Sequence, residues 1–302
     1  MTQATVPRPA TVPAVVPRVP FGGGVLREFV RNRRGGVTVA TVLVLVLIGV
    51  AAPVLAPYGP LDMHIGDRFA PPSAQYWLGT DEFGRDIFSR LIYGARVSLL
   101  AGLVAVVAAT IVGVPLGLLA GYYGGPLDAL IMRIIDFMLA VPGIILAMVI
   151  VAVLGPNAVN AMIAVAIIGI PVKARLLRAS TLAEKSRDYV EAARCLGATD
   201  ARVMFRTILP NTLTPIVVQI ALSASGAVLL ESSLSFLGLG TQPPAPSWGT
   251  LLNTGRAYMF NSPWYGFFPG LLITVLVLSL NNIADMVRDL LDPASRGRRT
   301  AR

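Results

Sequence analysis

The residues able to do chemistry are few and scattered. The 302-residue chain holds one histidine and one cysteine. His64 has no second histidine or cysteine near it, so neither a metal-ligand spacing nor a nucleophile–histidine arrangement can be drawn around it. Cys195 excludes an internal disulfide framework and occupies a position where a small apolar residue would suffice. The lysines are Lys173 and Lys185, and neither follows a glycine-rich loop. A phosphate cradle of the P-loop kind, which needs backbone N–H groups and a lysine just before a helix, is therefore missing. If ATP drives this protein, its hydrolysis belongs to another polypeptide. No catalytic residue, metal ligand or resident cofactor is expected in this chain.

Charges inside apolar runs are the next candidates, because an ionisable group in hydrocarbon is expensive and usually has a reason. Arg133 and Asp136 stand at i, i+3, and a local ion pair is preferred to a proton relay. Pro142-Gly143 beyond them predicts a kink. Glu231 closes an apolar run and is followed by Ser232, Ser233 and Ser235. Two readings stay open for it: a polar group facing a pathway, or a boundary carboxylate bonded to the serines. Gly238 and Gly240 follow, and irregular backbone at membrane depth is tolerated only where protein shields it or a cavity opens beside it. Glu231, Ser232, Ser235, Gly238 and Gly240 are thus the candidate pathway wall or gate. Trp248 and Trp264 suit an interfacial belt.

The most organised stretch is polar and lies between apolar runs. Tyr189, Ala192, Ala193 and Leu196 fall at i, i+3, i+4 and i+7, the signature of one apolar helix face. Gly197 stops that helix, since a left-handed residue is most cheaply glycine. Thr199 or Asp200 caps the next helix. Ala201, Met204, Phe205, Ile208 and Leu209 form its apolar stripe, and Pro210 ends it. An amphipathic helix–glycine–helix hairpin results. By itself it fits either a basic loop lying on a bilayer surface or a foot whose alanine-lined face admits a partner closely.

Whatever positions these residues is a membrane bundle. The chain is 55% hydrophobic and only 14% charged, with mean hydropathy +0.70, which excludes an ordinary soluble domain. Residues 1–24, rich in Pro, Val, Ala and Gly, are expected to be disordered, and residues 1–36 form a basic arm. Residues 37–56 make a first uncharged span, too long for a signal-peptide core. A polar elbow brings this unit to residue 94. Its Asp81–Asp86 stretch reads as a capped turn in preference to a contact for another protein. Further spans are expected at 97–123, 127–154, 157–172 (short, and extendable through Ala174, Leu176 and Leu177), 212–230 and 267–283, within a core of residues 95–290 that carries the hairpin region 179–210. Residues 291–302 are a basic tail. With both termini cytoplasmic, five of the 25 Lys and Arg residues (Arg68, Arg85, Arg90, Arg96, Arg256) fall outside and the rest inside. That bias sets an N-in/C-in topology of six transmembrane helices. It also explains the net charge of +9 as a topology signal and a contact with anionic lipid, not nucleic acid.

The spacing Glu191-Ala192-Ala193, three residues, Gly197, then Leu209-Pro210 resembles the EAA loop of binding-protein-dependent ABC importer permeases. Thr207 stands where that family usually has isoleucine. Trp77–Asp86, the Asp136–Pro142 region, Glu231–Gly240 and Trp248-Gly249 resemble the dipeptide/oligopeptide/nickel branch, specifically its second (C-type) permease subunit. The resemblance covers nearly everything after residue 36. It implies an all-α polytopic MetI-like permease core with an extra N-terminal helix, in a bacterial inner membrane. It implies that Glu191, Ala192, Ala193, Leu196, Gly197, Ala201, Met204, Phe205, Leu209 and Pro210 form the coupling surface for an ATPase. The partners implied are a homologous second permease, two ATP-binding domains that hold ATP and Mg, and an external substrate-binding protein. Short peptides are the expected cargo; nickel or another small solute is the alternative. A proton-driven transporter would need a midplane relay and internal repeats that are not evident.

Overall fold

The structure, a computed structural model, describes residues 33–291. The basic arm up to residue 32 and the tail from residue 292 lie outside the described residues. The described chain is helical, with one isolated β-bridge between Thr80 and Asp86. Helix α1 (Arg33–Val50) and the short α2 (Ala52–Leu55) lead into an elbow with a single 3-10 turn, Ile65–Asp67. Then come α3 (Ile87–Tyr123), α4 (Gly125–Ala140), α5 (Gly143–Leu154) and α6 (Ala158–Lys185). The hairpin segment follows, then α10 (Leu213–Phe236), α11 (Trp248–Ala257) and α12 (Pro263–Leu291); α7 to α9 within the hairpin are defined below. Helices α3, α6, α10 and α12 are long and apolar enough to cross a membrane. The α4–α5 pair makes a fifth crossing if it counts as one, while the apolar part of α1, Gly35–Val50, is shorter than the other spans. By length and composition, four or five of the expected crossings stand among the described residues.

The centre of the bundle is the contact between α3 and α6. On α3, small residues recur at every fourth position: Ala105, Ala109, Gly113, Gly117 and Gly121. This spacing lines one helical face and lets another backbone come close, which is how helices associate where burial from water gives no drive. The fit is tight. A Cβ added at Gly117 would lie 2.3 Å from the Ala174 carbonyl oxygen, and one at Gly121 would lie 2.8 Å from that of Arg178. Asp86 starts α3 by accepting the Ser89 backbone N–H at 2.8 Å, and Gly124, with φ of 67°, ends it.

Several expectations change here. Residues 127–154 are not one span: α4 and α5 meet at 98°. Pro142 offers no N–H and pushes its predecessor out of the helical region, and Val141 is accordingly extended, at φ −97° and ψ 132°. The span expected at 157–172 runs on through Pro171 to Lys185. Arg133 does not pair with Asp136. Instead Arg175 of α6 donates to Asp136 at 2.5 Å, and Arg178 makes a two-pronged contact with Asp128, both bonds 2.5 Å. Because α4 lies beside this end of α6, an inter-helix arginine outcompetes the i, i+3 neighbour. Trp248 is not interfacial: it is fully buried and donates its indole N–H to the Leu91 carbonyl at 3.0 Å.

The elbow is a capped turn built on buried charge. The Asp81 carboxylate takes Arg85 Nε at 2.6 Å and the backbone N–H groups of Phe83 and Arg85 at 2.9 Å each. Arg85 also donates to Glu82 at 3.1 Å, and Arg90 reaches the Pro60 carbonyl at 2.9 Å. Burial, with the neighbouring Asp81 charge, raises the Glu82 carboxyl above its usual range, and Arg85 and Arg90 only partly offset this.

Candidate functional site

The hairpin hangs from the ends of two long helices. After α6, the backbone turns through Ser186 and Arg187 into α7 (Asp188–Cys195). Gly197 takes φ of 80°, so the expected glycine stop is in place. Thr199 then caps α8 (Asp200–Arg202), its hydroxyl accepting the Arg202 N–H at 3.4 Å. Of the two capping candidates Thr199 performs the role, while Asp200 accepts the Tyr122 hydroxyl at 2.6 Å. A wide π turn, Val203–Ile208, passes into α9 (Leu209–Asn211). Pro210 does not end the helix. It stands in the first turn of α9, where a missing N–H costs nothing.

One face of the hairpin is anchored. Val190, Val203 and Ile208 are fully buried and Met204 nearly so, packed with Leu118, Tyr122, Leu177 and Ile216 of the bundle. Lys185 donates to the Tyr122 carbonyl, and the Arg194 guanidinium stands 5.2 Å from the Tyr122 ring centre. Burial, then the hydrogen bond to Glu184, pushes the Tyr189 phenol up to about 12.

The opposite face is open. Leu196 is 88% exposed and Phe205 54%. Glu191, Ala192, Gly197, Ala201 and Pro210 are exposed as well, and Ala193 is half-buried. Leu209 is partly buried against the anchoring cluster. The π turn accounts for the split of the second stripe. It shifts the helical register, so Met204 and Ile208 point inward with Val203 while Ala201 and Phe205 face out. On α7 the inward residue is Val190, and the stripe holding Ala192 and Leu196 is the outer one. Beside it a groove of about 440 Å³ is bordered by Lys185, Ser186, Arg187, Glu191, Arg194 and Cys195. Leu196 and Phe205 are thus large apolar side chains that the anchored hairpin leaves uncovered.

The second candidate cluster lies at the other end of α10. Glu231 does not close this helix, which runs on to Phe236. Its carboxylate is buried and accepts the Ser235 hydroxyl at 2.8 Å. A Cβ on Gly249 of α11 would lie 2.5 Å from the Ser232 carbonyl, so α10 and α11 touch there. Gly238, with φ of 78°, turns the chain after α10, and Gly240 fits against Ser235. One carboxylate oxygen is thus held by a serine, and the other has no hydrogen-bond partner among the described residues. Among the described residues no three His, Cys, Asp or Glu side chains gather as metal ligands would.

One residue escaped sequence reasoning. Lys173, counted there among the basic residues on the cytoplasmic side, sits midway along α6 and is 3% exposed. The apolar residues continuing past it, Ala174, Leu176 and Leu177, were the available signal.

The comparisons with known proteins converge. Residues 113–297 match the family described as binding-protein-dependent transport system inner membrane component. Residues 21–72 match the N-terminal TM domain of oligopeptide transport permease C. The chain is 44% identical over 267 residues to a dipeptide transport system permease protein of Alkalihalophilus pseudofirmus, covering 88% of each. It is 43% identical over 271 residues to the corresponding protein of Haemophilus influenzae, covering 88% of this chain and 92% of that one. A glutathione transport system permease protein of Pectobacterium atrosepticum is 45% identical over 272 residues, with coverage of 88% and 90%. Among solved structures, a chain of the inward-facing MetNI methionine ABC transporter superposes with TM-score 0.56 at 20% identity, over 68% of this chain and 97% of that one.

Proposed function

The chain belongs to the family of binding-protein-dependent transport system inner membrane components, and from that premise we propose that it is one permease subunit of an ATP-driven importer for short peptides. It is a multi-pass inner-membrane protein. The peptide assignment draws on relatives named for dipeptide and glutathione transport. Six crossings with both termini inside, counting α1 and the α4–α5 pair as one each, agree with the placement of basic residues.

The hairpin's role is mechanical. A homologous second permease completes the pathway, and an external binding protein delivers the substrate. Two ATPase domains sit below, bind ATP and Mg, and dock on the outer face of the hairpin through Glu191, Ala192, Ala193, Leu196, Gly197, Ala201 and Phe205. Leu209 and Pro210 link that face to α10, and Met204 roots it. When the ATPase domains close, the hairpin moves as one body. Since α6 enters it and α10 leaves it, both helices tilt and the access of the pathway alternates. The observation that carries this reading is the pairing of a rooted face with an outer face holding an 88%-exposed leucine.

Gly197→Pro tests it, because proline fixes φ near −65° where this residue holds 80°. Ala193→Arg tests it independently by crowding the docking face. Each variant is expected to insert normally and to lose both dipeptide uptake and stimulation of ATP hydrolysis in proteoliposomes holding the complete importer. Wild-type uptake and stimulation in either variant would refute the coupling role.

A further inference from the structure

Midway along the bundle, α3, α6 and α10 border a partly open cavity of about 170 Å³, lined among others by Ala105, Ala109, Val165, Gly169, Lys173 and Ser223. Lys173 is the one ionisable residue in its lining. At about 1.5 Å per residue, it stands roughly 22 Å from the start of α6 and 18 Å from its end. An ammonium at that depth needs compensation. Here it receives two long contacts with neutral oxygens, the Gly169 carbonyl at 3.5 Å and the Ser223 hydroxyl at 3.4 Å. The Ser223 hydroxyl is already engaged, donating to the Gln219 carbonyl at 2.7 Å and accepting from the Gln219 amide at 3.2 Å. No carboxylate lies within ion-pair distance of Lys173 among the described residues. Gly169 is where α6 packs closely on α3 beside the charge: a Cβ there would lie 2.9 Å from the Ala109 Cβ and 3.5 Å from Nζ.

We infer that Lys173 is an anion-recognising group of the translocation pathway, which holds the C-terminal carboxylate of a passing peptide. The inference rests on the peptide reading above and adds a substrate-contacting residue to it. Full ligand pockets span roughly 300–1,000 Å³, so this cavity takes the end of a peptide, not the whole. The terminal carboxylate is the anion that every unmodified short peptide carries whatever its side chains, and one cation can therefore serve many peptides. Lysine suits a transient grip, because its ammonium is a compact point charge on a flexible stem, without the rigid two-pronged fork by which arginine holds carboxylates. A transport site must also release what it binds.

The test uses the complete importer in proteoliposomes with saturating binding protein, and compares uptake of radiolabelled dialanine with that of dialanine amide. Selection by the binding protein is common to every variant, so a change in the ratio belongs to the permease. The wild type is expected to favour dialanine. Lys173→Gln keeps hydrogen bonding to Gly169 and Ser223 but removes the charge; it is expected to lower dialanine uptake at least tenfold and bring the ratio toward one. Lys173→Arg should preserve the preference, and all variants should keep ATP hydrolysis stimulated by loaded binding protein within twofold of wild type. A purely structural lysine would be rescued by glutamine. Lys173→Gln with the wild-type ratio, or a wild type indifferent to amidation, overturns this inference alone. A wild type that takes up neither probe overturns the peptide reading and this inference with it.

Discussion

Truncating Leu196 to alanine should separate docking from folding. Leu196 is 88% exposed in the isolated subunit, so its side chain has almost nothing to lose when shortened. Surface changes of that kind shift stability by roughly 0.5 kcal/mol or less. In the assembled importer the same side chain is proposed to fill a groove of the ATPase, where burial of a leucine is worth about 1.5–3 kcal/mol. At about 1.4 kcal/mol per tenfold, association should weaken roughly 10- to 150-fold. The matched control is Ile208→Ala on the same hairpin. Ile208 is fully buried in the bundle, and its truncation should cost about 2–5 kcal/mol of folding stability. Two readouts decide: the melting temperature of the purified permease pair, and its affinity for the ATPase measured by titration in detergent. Leu196→Ala should leave the first unchanged and weaken the second. Unchanged affinity, or a drop in melting temperature as large as that of Ile208→Ala, would refute the division of the hairpin into a rooted and a docking face.

The zipper between α3 and α6 and the charged elbow give two more predictions. Gly117→Leu places a branched side chain where even a Cβ lies 2.3 Å from the Ala174 carbonyl. Overpacking of this kind costs about 1–3 kcal/mol or more, so the purified subunit should melt earlier and elute as aggregate on size exclusion. Glu82→Gln keeps the acceptor for Arg85 and removes a carboxyl whose charged form is penalised by burial and by Asp81. A raised folded-state pKa contributes stability that is complete below the ordinary glutamate value and is lost as pH rises through the folded value. The variant should therefore match wild type in acid and melt higher at neutral pH; a lower melting temperature at both would refute it.

Local backbone demands were the most legible part of the sequence. Gly197, and a cap at Thr199 or Asp200, could be read because a positive φ and an orphan N–H have few solutions. Pro142 likewise announced a break, though its 98° depends on how two separate helices then pack. What could not be read was which way an amphipathic face would turn. The stripe of Ala192, Ala193 and Leu196 looks like a core face by period, yet the fold buries Val190 instead. The π turn, which divides Met204 from Phe205, leaves no mark in spacing. Trp248 looked interfacial because amphipathic rings favour that level, but the backbone carbonyl of Leu91 satisfies its N–H inside. Arg133 and Asp136 seemed paired by proximity in sequence, whereas Arg175, 39 residues from Asp136, won on geometry. Lys173 was hidden by its neighbours: three basic residues within six positions look like a loop until one helix is seen to carry them all.

The packing also says how movement at the hairpin reaches the middle of the bundle. At Gly113, Gly117 and Gly121 an added Cβ on α3 would lie within 3 Å of the α6 carbonyls of Ile170, Ala174 and Arg178, so the two backbones come into close contact there. Flexible side chains at a contact can absorb a small displacement, but backbone against backbone cannot, because close-packed interiors have almost no slack. Helices α3 and α6 therefore move together when the hairpin is pushed. Helix α10, joined to the hairpin's other end through Pro210 and Thr212, is not locked to α3 by the glycine stripe. The two helices leaving the hairpin carry opposite walls of the central cavity, Lys173 on α6 and Ser223 on α10, 3.4 Å apart in this conformation. A tilt of α6 against α10 changes that separation directly. Under the proposed coupling, a push on the hairpin from below would therefore open or close the cavity where the lysine stands. A cleavable crosslink between α6 and α10 across this cavity, at positions other than Lys173, should abolish uptake while the link holds and restore it when the link is cut; uptake that persists with the link intact would refute the coupled motion.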